Sequence, residues 1–88
     1  MGQTGATVLA VPASERVNES LGLAVRELRR RRGLSQEDLA HASGLHPTYI
    51  SGIERGLRNP TWRSIGRVCE ALQVRISELA ALSESLEG

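Results

Sequence analysis

Between residues 33 and 61 the chain is punctuated so closely that no segment can run far in one conformation. Gly33 precedes Ser35, Gly44 precedes Pro47, and Gly56 precedes Pro60 and Thr61. Glycine just past a helix takes up the left-handed turn that ends it. Serine or threonine opens a helix by accepting a first-turn N–H, and proline fits a helix only near its start. These rules predict a helix over Ser35–Ser43, a tight turn at Gly44-Leu45-His46, and a second helix over Pro47–Arg55. Ser35-x-x-Asp38 also matches a reciprocal cap, in which each side chain accepts a backbone N–H from the other residue. Helices this short are marginal alone and need tertiary packing.

Helical spacing extends the reading to both sides. Leu21, Val25 and Leu28 recur on one face of a helix that begins near Ser14 or Asn18 and closes with Arg29–Arg32, where cations suit the negative end of the dipole. Leu39, Ala40 and Ala42, then Leu45, Ile50 and Ile53, mark the buried faces of the central pair. Thr61 is positioned to cap a fourth helix carrying Trp62, Ile65, Val68, Cys69 and Leu72, with Trp62 packed at the core or its rim. Ser77 lies near the start of a fifth helix with Leu79, Leu82 and Leu86. Strand patterns are nearly absent; a short one through Thr7–Val11 is the exception. The expectation is an all-α fold, a compact bundle of four to five short helices. Residues 1–13 form a flexible arm, 14–82 the domain, and 83–88 the end of the last helix with a tail. A chain of 88 residues supports one such core and leaves little room for a catalytic cleft.

The net charge is only +1, but it is unevenly placed. Residues 26–67 carry a balance of +5, residues 68–88 one of −3, and residues 1–25 one of −1. A basic middle beside an acidic end suits a protein that meets phosphates on one face, although charge alone fits an ordinary solvated surface at least as well. All eleven basic residues are arginine, which can fork two hydrogen bonds onto phosphate or guanine; the base composition of the gene explains that bias equally well. Trp62 and Tyr49 are the only aromatics, too few for a single-strand binder that stacks bases. Cys69 is the single cysteine and is read as a buried thiol on a helix face. His41 and His46 have no Cys, Asp or Glu at ligand spacing, so no metal is expected, and no cofactor. No nucleophile, base and orienter are set together, so no enzyme is expected. No apolar run is long enough to span a membrane, and the apolar stretch 6–13 lacks a preceding basic residue. A cytoplasmic protein is the expectation.

Two short helices joined by a tight Gly-containing turn make a helix-turn-helix unit. Its second helix would show Thr48, Ser51, Gly52 and Arg55 outward, small or polar residues that let a helix sink into a major groove. Gly33-Leu-Ser-Gln-Glu-Asp-Leu-Ala, Ser-Gly-Leu, and Tyr49-Ile-Ser-Gly-Ile-Glu-Arg-Gly-Leu-Arg-Asn-Pro-Thr61 together resemble the XRE (Cro/phage repressor-like) helix-turn-helix family. The Tyr-Ile-Ser-Gly-Ile-Glu-Arg-Gly run is most similar to the controller proteins of restriction–modification systems. The resemblance spans about Leu21–Leu79 and implies a lambda repressor-like domain that binds operator DNA, usually as a dimer, to regulate transcription.

Carried over by position, the resemblance assigns Gln36 to a backbone phosphate and Thr48, Ser51 and Gly52 to base edges. Tyr49, Arg55, Arg58 and Asn59 would hold the backbone, with Arg58 also within reach of a base. Arg29 and Glu54 match a structural ion pair between the first and third helices. Pro47 stands where family members often carry Gln or Arg, and Gly52 has no side chain. Direct base readout is therefore thin, and DNA shape is left to supply more of the specificity. Leu79, Leu82 and Leu86 fall near one face and are expected to form a homodimer interface, for which a near-palindromic operator follows. RNA polymerase is a further partner such a regulator could meet. The same fold also builds antitoxins and protein-interaction modules; the lack of an acidic or bulky apolar outer face on the third helix favours DNA.

Overall fold

The computed structural model describes residues 13–87. It contains five helices, α1 (Ala13–Arg31), α2 (Gln36–Ser43), α3 (Pro47–Glu54), α4 (Trp62–Leu72) and α5 (Ile76–Leu86), and no strand among the described residues. The expected strand at Thr7–Val11 and the arm, apart from Ala13 at the head of α1, lie outside the described residues.

The caps follow local chemistry. Ser35 Oγ accepts the Asp38 N–H at 2.9 Å, and the Asp38 carboxylate accepts the Ser35 N–H at 2.9 Å. Thr61 Oγ1 accepts the Ser64 N–H at 3.0 Å. At the end of α2, Gly44 takes a φ of 73°. There Leu45 N–H returns to Ala40 O at 3.1 Å and Gly44 N–H to His41 O at 3.3 Å, a paired reversal that satisfies two orphan carbonyls. The same reversal ends α4, but with Gln73 at a φ of 60° in place of glycine. The next residue, Val74, is partly buried against the core, the apolar contact that commonly accompanies this reversal.

The core is one cluster, with Val25, Leu39, Ile50, Ile53, Val68, Leu72 and Leu79 almost wholly enclosed. Helix α1 is its spine: it packs against α3 and α5, while α2 lies on α3 and α4. Gly22 makes the α1–α3 contact possible, because a Cβ there would lie 2.3 Å from the Ile53 carbonyl oxygen and 2.6 Å from that of Glu54. Across the other side of α1, Ser20 Oγ hydrogen-bonds Ser83 Oγ of α5 at 3.1 Å.

Two sequence expectations are corrected and a third is narrowed. Ala42 is exposed and not on the buried face of α2. Leu79 is 1% exposed and belongs to the monomer core, because α5 crosses the bundle through its first turns. Only Leu82, half-buried, and Leu86, 41% exposed, run beyond that crossing. Of the two places expected for Trp62, the core is ruled out: it is 73% exposed and stands at the rim. It is the first residue of α4, where the helix has not yet entered the bundle. It therefore stands at the mouth of an apolar groove lined by Val17, Leu21, Ile76 and Ala80.

Candidate nucleic-acid interface

The short helix α3 is anchored from below and open from above. His46 caps it: its Nδ1 accepts the Thr48 N–H at 3.0 Å, and Pro47 occupies the first turn. The sequence reading placed His46 only in the turn, since histidine is not among the usual capping residues. Ile50 and Ile53 point into the core, while Pro47, Thr48 and Arg55 are exposed and Ser51 is half-exposed. Glu54 is the only acid of α3, and it is buried facing α1. The outer face of the helix consequently carries no negative charge.

Glu54 is the hub beneath this face. Arg29 donates to it twice, Nε to Oε2 at 2.7 Å and Nη2 to Oε1 at 3.0 Å. The remaining Arg29 nitrogen, Nη1, donates to Leu34 O at 2.8 Å. Glu54 holds the Arg29 guanidinium above its usual range, chiefly through these hydrogen bonds. The side chains are 11% and 2% exposed, so the pair is shielded from solvent. Gln36, at the head of α2, donates its Nε2 to Glu54 Oε1 at 2.9 Å. The expected phosphate ligand is thus already held by the pair that ties α1 to α3, with one amide N–H committed and the second left over.

Beyond α3 the chain doubles back. Gly56 has a φ of 74°, and a Cβ there would press on Glu19 of α1 at 3.1 Å. Arg58 and Asn59 then stand exposed beside α3. The Arg58 guanidinium carbon lies 5.8 Å from the centre of the Tyr49 ring. The Tyr49 hydroxyl donates to Ser64 Oγ at 3.4 Å, which links the ring to α4. Thr48, Ser51 and Arg55 thus share the outer face of α3, Arg58 reaches the Tyr49 ring beside it, Gln36 meets the end of α3 through Glu54, and Asn59 is exposed in the loop that follows. Gly52 is the correction: it is buried, with the Arg58 stem across it, and does not stand open on the outer face. Sequence spacing found the helix face but could not see that the following loop folds over part of it.

The remaining candidates stand apart. His41 is exposed and His46 serves as a cap; no group of three or more His, Cys, Asp or Glu residues is gathered among the described residues. Cys69 is buried in α4. Arg31 pairs with Glu27 at 3.0 Å on the surface of α1, and Arg32 hydrogen-bonds Gln73. No helix among the described residues is long and apolar enough to cross a membrane.

Comparison with known proteins places this geometry. A family model described as "Helix-turn-helix" matches residues 25–79. The control protein C.SmaI of Serratia marcescens is 41% identical over 63 residues, 72% of this chain and 75% of that protein. The crystal structure of the restriction–modification controller protein C.AhdI from Aeromonas hydrophila is 44% identical, with a TM-score of 0.69 over 69% of this chain and 92% of that one. The controller protein C.Esp1396I, solved as a tetramer in complex with its natural 35 base-pair operator, is 32% identical, with a TM-score of 0.75 over 81% of this chain and 93% of that one.

Proposed function

The chain belongs to the XRE-type helix-turn-helix family of transcriptional regulators, and from that premise we propose that it binds a near-palindromic double-stranded DNA operator as a dimer. The observation that carries this reading is the outer face of α3. It presents Thr48 and Ser51 without any acid, flanked by Arg55, Arg58 and the head of α2. A helix of that kind can enter the major groove, where small polar side chains approach base edges. Thr48 and Ser51 read bases; Arg55, Asn59 and Tyr49 hold the backbone, Gln36 meets a phosphate from the α2 side, and Arg58 serves the backbone and an adjacent base. The operator complex of C.Esp1396I supports this reading. We assign the protein no catalytic role and a cytoplasmic location. An operator overlapping a promoter would bring the dimer beside RNA polymerase, through which either sign of regulation could act.

The proposed dimer contact uses the exposed end of α5, through Leu82 and Leu86 and the neighbouring apolar groove beside Trp62. Leu79 is spent in the core, and the largest exposed apolar side chain beside α5 is Trp62, with Val17 and Ala80 in the same groove. To reach adjacent major grooves, the two-fold contact must set the two α3 helices about 34 Å apart, one DNA turn. Leu82 and Leu86, with Leu23, form the other flank of α5.

Gel-shift and fluorescence titrations test the reading. Duplexes selected from a randomised pool should bind with strong salt dependence, losing about 10³–10⁵-fold between 50 and 200 mM if roughly 6–10 phosphates are neutralised. Thr48→Ala and Ser51→Ala should cost about 1–3 kcal/mol on the selected duplex for each lost base contact and far less on a scrambled one. Arg55→Ala should weaken both. Absence of any selected duplex at low salt would defeat the proposal. Sedimentation of Trp62→Arg beside Leu82→Arg/Leu86→Arg measures what each flank of α5 contributes to the dimer.

A further inference from the structure

The groove-facing helix and the loop behind it meet at a residue that has no side chain. Gly52 is buried within α3. A Cβ built on it would sit 2.5 Å from Arg58 Cγ and 3.1 Å from Arg58 Nε, both in the side chain. The backbone brings Arg58 there. Leu57 N–H returns to Gly52 O at 2.9 Å and Gly56 N–H to Ile53 O at 3.0 Å, so the chain reverses at the end of α3. The Arg58 stem then crosses the helix over Gly52 and sets its guanidinium against the Tyr49 ring, 5.8 Å from the centroid. Tyr49 lies one turn before Gly52 on the same side of α3. Its hydroxyl donates to Ser64 Oγ at 3.4 Å, and Thr61 Oγ1 lies 3.1 Å from that same oxygen. The ring is thereby linked to α4, and the Arg58 side chain runs from Gly52 at its stem to the Tyr49 ring at its head.

Glycine inside a helix is disfavoured relative to alanine, so it needs a packing reason. Entry into the groove is not that reason here, because Arg58 covers the position. We propose that Gly52 is a positioning residue: with Tyr49 it forms a notch that fixes the direction in which Arg58 leaves α3, and Arg58 contacts DNA only when held in it. This rests on the DNA-binding reading above and deepens it. An arginine already ordered loses less freedom on forming its contact than one that searches from a loop.

The test is a double-mutant cycle with a readout that needs no DNA. In the free protein, ring currents from Tyr49 should shield the Arg58 δ protons, and Gly52→Ala should abolish that shielding while the circular-dichroism melt stays cooperative. On a duplex recovered by selection from a randomised pool, Gly52→Ala and Arg58→Ala should each lose about 5- to 150-fold, the equivalent of one base contact. In the Arg58→Ala background, Gly52→Ala should change affinity less than about twofold, the signature of coupled residues. Should Gly52→Ala fail to fold, Tyr49→Leu supplies a second cycle: its loss in the Arg58→Ala background measures the contact Tyr49 itself makes to DNA, and a larger loss in the wild-type background measures the coupling to Arg58. Additive losses, or a Gly52→Ala protein that binds like wild type, overturn the proposal. An unshielded Arg58 in the free wild type overturns the notch alone. A wild type that recovers no duplex overturns the DNA-binding reading and, with it, the role given to Arg58.

Discussion

Glu54→Ala is the substitution with the largest effect that can be worked out from this structure. The carboxylate is 2% exposed and accepts three hydrogen bonds, two from Arg29 and one from Gln36. Removing it leaves the Arg29 guanidinium, 11% exposed, with only the Leu34 carbonyl as partner. Breaking a buried pair from one side costs about 3–5 kcal/mol. A domain of this size melts about 4–8 °C lower per kcal/mol, so the drop should be of order 12–40 °C. Against a total stability of about 5–15 kcal/mol this is a large fraction, so the variant should unfold at a markedly lower temperature and denaturant concentration than wild type. Thermal melting by circular dichroism measures this directly. Arg29→Met/Glu54→Met, which removes both charges, should recover most of the loss, because an apolar pair avoids the unpaired charge. A Glu54→Ala protein that melts within a few degrees of wild type but no longer binds DNA would refute the argument and make Glu54 a contact residue.

Gly22→Ala should destabilise by about 1–3 kcal/mol despite the better helix propensity of alanine, since its Cβ would collide with the α3 backbone; denaturant midpoints check the sign. Ser35 holds Asp38 below the usual carboxylate range, first through its backbone N–H and then through its hydroxyl. That contribution is present above the ordinary aspartate range and fades as pH falls through the lowered value, so Asp38→Asn should flatten the acid limb of a stability–pH curve. Burial, with a smaller push from Glu78, raises the Cys69 thiol above its usual range. A disulfide reagent at pH 8 should therefore modify it only as fast as the protein unfolds, and stability should decline as pH rises through the ordinary thiol range. Labelling at a rate independent of added denaturant would contradict that burial.

The helices were legible in the chain, because their ends are written in local chemistry. Ser35, Asp38, Gly44, Pro47, Gly56 and Thr61 each satisfy or withhold a backbone group within a few residues of themselves. The same local logic located the outward face of α3, since helical spacing places Ile50 and Ile53 opposite Thr48 and Arg55. The Arg29–Glu54 pair came from likeness to a family, because nothing in the spacing of residues so far apart in sequence joins them. The rest depends on how the helices pack. Leu79 and Trp62 are both apolar residues on amphipathic helices, yet one is enclosed and the other exposed. The difference lies in where α5 and α4 cross the bundle, which helical period does not encode. Gln73 ends α4 in a conformation that favours glycine, with Val74 after it partly buried against the core. Gly22 and Gly52 look alike in the sequence as glycines inside helices. Only the fold shows that one admits the backbone of α3 and the other the stem of Arg58, because close approach is a property of two segments and a sequence states each of them alone.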